Sequence, residues 1–334
     1  MLTNKIIRVI INKVITRTIL NNILKMEENM KKRYPRMALA AITIPWKEDF
    51  SFDKELFDIF IKKLVDSGIK YIYTFGTAGE GYALDDETFL EITKAHIDSL
   101  KNTDVTPITG IISLSLKEML HRIFLAYELG IRDFQISFPS WGALTDEEVI
   151  IFFHEICDKF PDCKFMHYNN GGRSKKLLKA KDYIKLAQEI PNLVAVKFMN
   201  DSLEDIINIV RADIPLQFIL SEYGYGLGCL YGECSMLFSS ISSHLPTAWR
   251  LYQAGLIKDI DTIVELEKEV TISQEILFRI CTKQVINAAY DKLYAKTVMP
   301  EFPMRLLPPY QTFSEDIVEK YMLEMEKYLP QWFR

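Results

Sequence analysis

The sequence predicts a (β/α)8 barrel, and three observations predict it. Short apolar runs alternate with amphipathic helical stretches eight times in series. The runs lack polar alternation, so each strand is expected to be covered on both faces, as in a parallel sheet. The residues that break the apolar pattern gather at the C-terminal ends of the runs, where a barrel of this kind carries its chemistry.

The units follow in order. Ala38–Ile44 precedes a helix over Lys54–Asp66, and Tyr71–Phe75 precedes one over Asp86–Leu100. Pro107–Gly110 leads to Leu116–Leu129. Asp133–Ser137 leads to a helix opened by Thr145 with Glu148 three residues on, the signature of a capping box. Lys164–Tyr168 precedes Lys181–Glu189, and Leu193–Lys197 precedes Leu203–Val210. Gln217–Ser221 precedes Tyr225–Tyr231, and Ser235–Ser239 precedes a helix after Pro246. The reading divides the chain into a basic N-terminal extension (1–36), the barrel (37–257) and a helical C-terminal appendage (258–334) broken by Pro300, Pro303, Pro308 and Pro309.

A chain of 334 residues exceeds the roughly 250 of a bare barrel. With 49% hydrophobic and 25% charged residues and a net charge of −5, the body carries no sign of a nucleic-acid or membrane partner. Cys157, Cys163, Cys229, Cys234 and Cys281 form no C-x-x-C pair, so they are expected to be reduced thiols in a cytoplasmic protein. From Met1 to Met26 there is no acidic residue, and Lys5, Arg8, Lys13, Arg17 and Lys25 lie among Ile and Val. That pattern fits a targeting segment, a surface helix, or a start assigned too early, with Met26, Met30 and Met37 as alternative starts.

The candidate site is built on Lys197, which closes the apolar run Leu193–Val196. Strand alternation places Leu193, Ala195 and Lys197 on one face. An ammonium at an apolar barrel mouth is poorly solvated, so its pKa is expected to fall and free the amine for attack on a ketone. A lysine snorkelling to solvent from a strand end is the competing reading. Tyr168 ends the preceding strand, where its phenol can shuttle protons during imine formation; a rim aromatic is the alternative. Gly76-Thr77-Ala78-Gly79-Glu80 can present backbone N–H groups to a carboxylate, or simply turn the chain. Arg173 follows two glycines and offers a fork for a second anion. Trp141 is expected to supply a flat wall and Glu222 a polar lid residue, a solvated loop charge being the plainer reading of Glu222.

Those motifs resemble the dihydrodipicolinate synthase/N-acetylneuraminate lyase family of class I aldolases. The family's G-[TS]-T-G-E loop corresponds to Gly76–Glu80, its Y-N-x-P to Tyr168-Asn169-Asn170-Gly171, and its G-[IV]-K to Ala195-Val196-Lys197, in matching order over roughly Ala38 to Ala254. The resemblance implies a homotetramer or homodimer that binds pyruvate or another 2-oxo acid covalently on Lys197. Tyr168 would be the proton relay, helped by Thr77. The backbone of Thr77 and Ala78 would hold the carboxylate, and Arg173, five residues after the tyrosine, the second substrate. Three departures stand out: Ala78 lacks a hydroxyl, Gly171 replaces proline, and Ser140-Trp141 replaces a tyrosine pair, one of which completes the relay across a subunit interface.

The expected function is therefore a Schiff-base aldolase, lyase or hydro-lyase acting on a 2-oxo sugar acid. The alternatives are dihydrodipicolinate synthase proper and a non-catalytic relative that binds a 2-oxo or sugar acid. No cofactor or metal is expected, because the histidines show no ligand spacing and no cluster suits a class II aldolase. Gly224-x-Gly226-x-Gly228 misses the dinucleotide spacing.

Overall fold

The computed structural model describes residues 32–200, 202–239 and 244–333. Eight parallel strands close into a barrel in sequence order, the last pairing with the first. They are β1 (Ala38–Ala41), β2 (Tyr71–Thr74), β3 (Thr106–Ile111), β4 (Asp133–Ile136), β5 (Lys164–Asn169), β6 (Leu193–Phe198), β7 (Gln217–Leu220) and β8 (Ser235–Phe238). A helix follows each strand, and several helices start where the sequence supplies an N-cap. Asp53, Asp85, Ser115, Ser202 and Ser221 each accept from a backbone N–H in the first turn. Thr145 and Glu148 form the expected capping box.

The strands are apolar on both faces because two cores depend on them. The outer core lies between sheet and helices and takes Phe57, Phe89, Met119, Phe153, Tyr183, Val196 and Phe218. The inner core fills the barrel with Leu39, Tyr73, Ile108, Met166, Ala195, Ile219 and Leu237. Leu193 corrects the simple alternation. The β5–β6 register slips between Phe165 and Met166, opposite Leu193 and Ala195. Val194 is the extra residue and packs inward with Ala195, whereas Leu193 packs in the outer core. Lys197 and Ala195 share the inner face, but Leu193 does not.

The expected boundary at residue 37 cuts through packed chain. Arg33 donates to the carbonyls of Ile190 (2.8 Å), Leu193 (2.9 Å) and Ala187 (2.5 Å), and Lys32 to that of Ile214 (2.5 Å). Tyr34 is buried and donates to Asp133 at 2.6 Å. Residues 32–36 thus seal the barrel floor, while the basic stretch 1–31 lies outside the described residues.

The C-terminal region is more than an appendage. Its helices are α9 (Ile260–Ile280), α10 (Asn287–Val298) and α11 (Glu315–Tyr328), numbered after eight earlier ones: Lys54–Asp66, Asp86–Leu100, Leu116–Glu128, Asp146–Cys157, Ala180–Glu189, Leu203–Arg211, Glu222–Tyr231 and Leu245–Ile257. From α10, Lys292 reaches back to the carbonyl of Ile44 beyond β1 (2.7 Å) and to Glu80 beyond β2 (2.9 Å), both side chains fully buried. Arg305 donates to the carbonyl of Trp46 at 2.8 Å.

Candidate active site

Lys197 stands at the top of β6, 4% exposed, with its ammonium wedged between two tyrosines. It donates a short hydrogen bond to the Tyr73 hydroxyl, 4.7 Å above the centre of that ring, and sits 4.3 Å from the centre of the Tyr168 ring. Burial pulls the ammonium down, but the oxygens of Tyr73 and Tyr168, with the charge of Asp291 added, outweigh it and hold the amine above its ordinary value. The expected fall is therefore corrected: desolvation acts as foreseen, yet the barrel interior supplies acceptors that the sequence did not reveal.

Tyr168 is the second of the two phenols. Burial pushes its phenol up, but the charge of Lys197 and hydrogen bonds from Thr77 and Asn170 bring it below its ordinary value. The Asn170 amide donates to the phenol oxygen at 3.2 Å. His167, beside it in sequence, points to the outer core and meets the Tyr183 hydroxyl at 2.7 Å.

The loop after β2 brings Thr77 to Tyr168 and leaves the N–H groups of Thr77 and Ala78 without a protein acceptor among the described residues. Its glycines answer to crowding rather than to a positive φ. A Cβ on Gly76 would come within 2.5 Å of the Tyr73 ring, and one on Gly79 within 2.6 Å of the Phe75 nitrogen. The left-handed residues are Phe75 and Glu80. Glu80 is fully buried, receives Trp46 Nε1 (2.8 Å), the Leu307 N–H (2.7 Å) and Lys292, and so ties the loop to the C-terminal region.

A cavity of about 300 Å³ opens above Tyr168 and Thr77. Ser113, Ser137, Ser140, Asn170 and Arg173 give it a polar side, while Phe138, Ile112, Ile286, Tyr82 and Tyr310 give it an apolar one. Arg173 lies in one helical turn, Gly171–Ser174, opened by the Asn170 side chain, and donates to Asn287 at 2.7 Å. Two expected contacts are absent from this lining. Trp141 is 83% exposed and turned outward, its carbonyl taken by Lys175, so the wall is Phe138 with the Tyr82–Tyr310 pair instead. Glu222 is 2% exposed, begins the helix after β7 and accepts from the Ser239 N–H at 2.8 Å, which makes it a buried brace rather than a lid. Gly226, in the same helix, is small because Glu267 packs against it.

Sequence reasoning missed Tyr73 and Asp291. Tyr73 shares the face of β2 that alternation assigns to the barrel interior, so it could have been found there. Asp291 gave no signal, because nothing local says that α10 folds back toward Lys197.

Comparison with known proteins identifies the family and the fold. The family model described as the dihydrodipicolinate synthetase family matches residues 35–224. A trans-2'-carboxybenzalpyruvate hydratase-aldolase from Nocardioides sp. is 27% identical over 47% of this chain, a match that spans only 48% of that relative. A 4-hydroxy-tetrahydrodipicolinate synthase from Campylobacter hominis is 22% identical over 86% of this chain and 97% of its own length. Among solved structures, Proteus mirabilis N-acetylneuraminate lyase superposes with a TM-score of 0.77 at 16% identity, covering 88% of this chain and 99% of that one. A prophage protein of the dihydrodipicolinic acid synthase family from E. coli K12, solved with pyruvate, gives 0.76 at 16% identity, over 87% of this chain and 98% of that one. At these identities the structural matches establish the fold.

Proposed function

The chain belongs to the dihydrodipicolinate synthetase family, and on that premise we propose that it is a class I lyase or aldolase carrying a 2-oxo acid as an imine on Lys197. The observation that carries the reading is the buried Lys197 amine held between two phenols, of which Tyr168 also lines the open cavity. The free N–H groups of Thr77 and Ala78 suit the substrate carboxylate, which directs the 2-oxo carbon toward Lys197. The protonated imine then withdraws electrons, so C3 can carry the electron pair of a broken C3–C4 or C3–H bond as an enamine, and an enamine formed by loss of the C3 proton can expel oxygen from C4 as water. Tyr168, hydrogen-bonded by Thr77 and Asn170, exchanges protons with the reacting centre.

The cavity lining bears on the second substrate. Arg173 suits a carboxylate remote from the 2-oxo group. A polyhydroxy tail, as in a 2-oxo sugar acid, would find Ser113, Ser137, Ser140 and Asn170. The opposing Phe138, Ile112, Ile286 and the Tyr82–Tyr310 pair, with centroids 5.0 Å apart, favour an aryl or apolar tail as a second reading. Aspartate semialdehyde, the small polar partner of the synthases, leaves that wall unused.

The test is borohydride trapping with pyruvate and a panel of 2-oxo acids, read by intact mass and peptide mapping. A reduced adduct on Lys197, lost in Lys197→Ala, is expected. Labelling elsewhere, or none with any 2-oxo acid, ends the covalent reading. Condensation assays with aryl, sugar and aspartate aldehydes then decide the partner.

A further inference from the structure

A lysine carries its amine on a flexible four-carbon stem, so burial alone does not fix where the nitrogen sits. Attack on a ketone needs it in one place, with the reacting atoms about 3–3.5 Å apart and aligned. In this barrel the amine and the groups that suit the substrate carboxylate come from opposite sides. Lys197 stands at the top of β6, and the free N–H groups of Thr77 and Ala78 follow β2, the strand diametrically across the closed sheet. β2 pairs with β1 and β3, and β6 with β5 and β7, so no backbone ladder joins the two. A side chain has to set their spacing at the mouth.

Tyr73 is the side chain that touches both. It points into the barrel from β2 and belongs to the inner core with Leu39, Ile108 and Ile219. Its hydroxyl accepts a hydrogen bond from the Lys197 ammonium, which lies 4.7 Å from the centre of its ring. The same end of the ring is pressed against the loop. Phe75 takes a left-handed φ of 54°, which ends the strand and folds Gly76 back over Tyr73. A Cβ on Gly76 would stand 2.5 Å from a ring carbon of Tyr73 and 2.8 Å from its hydroxyl oxygen, so the phenol fills the space that a side chain would take. Thr77, the next residue, hydrogen-bonds Tyr168, whose ring centre is 4.3 Å from the same ammonium. The far end of the loop is held by Glu80, bound to Trp46 and Lys292. Tyr73, 1% exposed, thus stands as a spacer between an anchored loop and the amine.

We propose that Tyr73 is a positioning residue that holds the Lys197 amine at a fixed distance from the Thr77 and Ala78 N–H groups, and that this spacing selects ketones with an adjacent carboxylate over simple ketones. The role presupposes the imine on Lys197 and adds to it a physical reason for preferring 2-oxo acids. A carboxylate seated on the loop places its 2-oxo carbon one bond further on, and the nitrogen meets that carbon only where Tyr73 holds it. The hydroxyl accepts a hydrogen bond from the ammonium and from the neutral amine alike, so no proton transfer is asked of it.

The test compares pyruvate with acetone, which has the same ketone and no carboxylate. The full chain is incubated with each at pH 7.5 and cyanoborohydride, and the rate of adduct formation at Lys197 is read by peptide mapping. The ratio of the two rates in one protein cancels the protonation of the amine and the folded fraction, which act on both probes alike. Tyr73→Phe keeps the ring against Gly76 and frees the amine, whereas Gly76→Ala keeps every hydrogen-bonding group and displaces the ring. Each should lower the pyruvate-to-acetone ratio at least about tenfold, since a misplacement of about 1 Å can cost roughly 100-fold. A ratio that stays at the parent's value in either variant, even with both rates lowered, would overturn the spacing role while pyruvate trapping on Lys197 keeps the imine reading. No pyruvate adduct on Lys197 of the parent chain would end both.

Discussion

Replacing Lys292 by methionine should destabilise the protein sharply, because it leaves Glu80 charged in a sealed site. Lys292 and Glu80 are both fully buried, 2.9 Å apart. The ammonium also donates to the carbonyls of Ile44 and Arg305, so one substitution opens three bonds, two of them between the C-terminal region and the barrel. Glu80 keeps Trp46 Nε1 and the Leu307 N–H but loses its counter-charge. Removing one partner of a buried pair typically costs about 3–5 kcal/mol, a large part of a total stability of roughly 5–15 kcal/mol. At about 2 °C per kcal/mol for a chain of this size, the melting temperature should drop by roughly 6–10 °C. Glu80→Gln should cost less, because burial already holds Lys292 down at about 8 and the lysine can shed its proton when its partner is gone. The double variant should therefore be more stable than the sum of the singles requires. The assay is denaturant unfolding of all four proteins at pH 7.5, with pyruvate trapping to follow the Gly76–Glu80 loop. A Lys292→Met cost under about 1 kcal/mol, or strict additivity, would refute the clamp.

Arg173→Ala should raise KM for the second substrate tenfold for every ~1.4 kcal/mol of binding lost, yet leave pyruvate trapping unchanged; equal loss of both would place Arg173 in the imine site. A chain starting at Met37 should melt lower, since it forfeits the Arg33 carbonyl bonds and the buried Tyr34, at about 1 kcal/mol per bond; an unchanged melting temperature would show the floor to be dispensable. His96 and His167 are fully buried, and burial lowers both to about 3 from 6.5. Their folded values are depressed, so unfolding takes up protons between those limits. The stability is present above pH 6.5 and lost as pH falls toward 3. His96→Leu should flatten that slope, and a stability profile identical to the parent between pH 4 and 6.5 would contradict it.

The barrel was legible in the sequence because each local rule agreed with the global one. Unbroken apolar runs, N-caps at Asp53, Asp85, Ser115 and Thr145, and eight repeats of one unit admit few arrangements besides a closed parallel sheet. Lys197, Tyr168 and Thr77 were legible for a related reason: polar residues at strand ends stand out against apolar neighbours, and strand order brings them to one mouth. The Glu80 carboxylate was visible as part of a motif, but its partner was not.

Tertiary structure alone decided the rest. The slip at Val194 moved Leu193 to the outer core, because register is set by pairing with β5 and not by the run itself. Trp141 and Glu222 exchanged the expected environments: a loop residue's exposure depends on what packs over it, and nothing local encodes that. Tyr73 and Asp291 come from a strand and a helix far from Lys197 in sequence, so their fields add only once the barrel is closed and α10 has folded back. For the same reason the direction of the Lys197 shift could not be read from an apolar run. Burial is a local property of that run, but the oxygens that oppose it are brought there by distant parts of the chain.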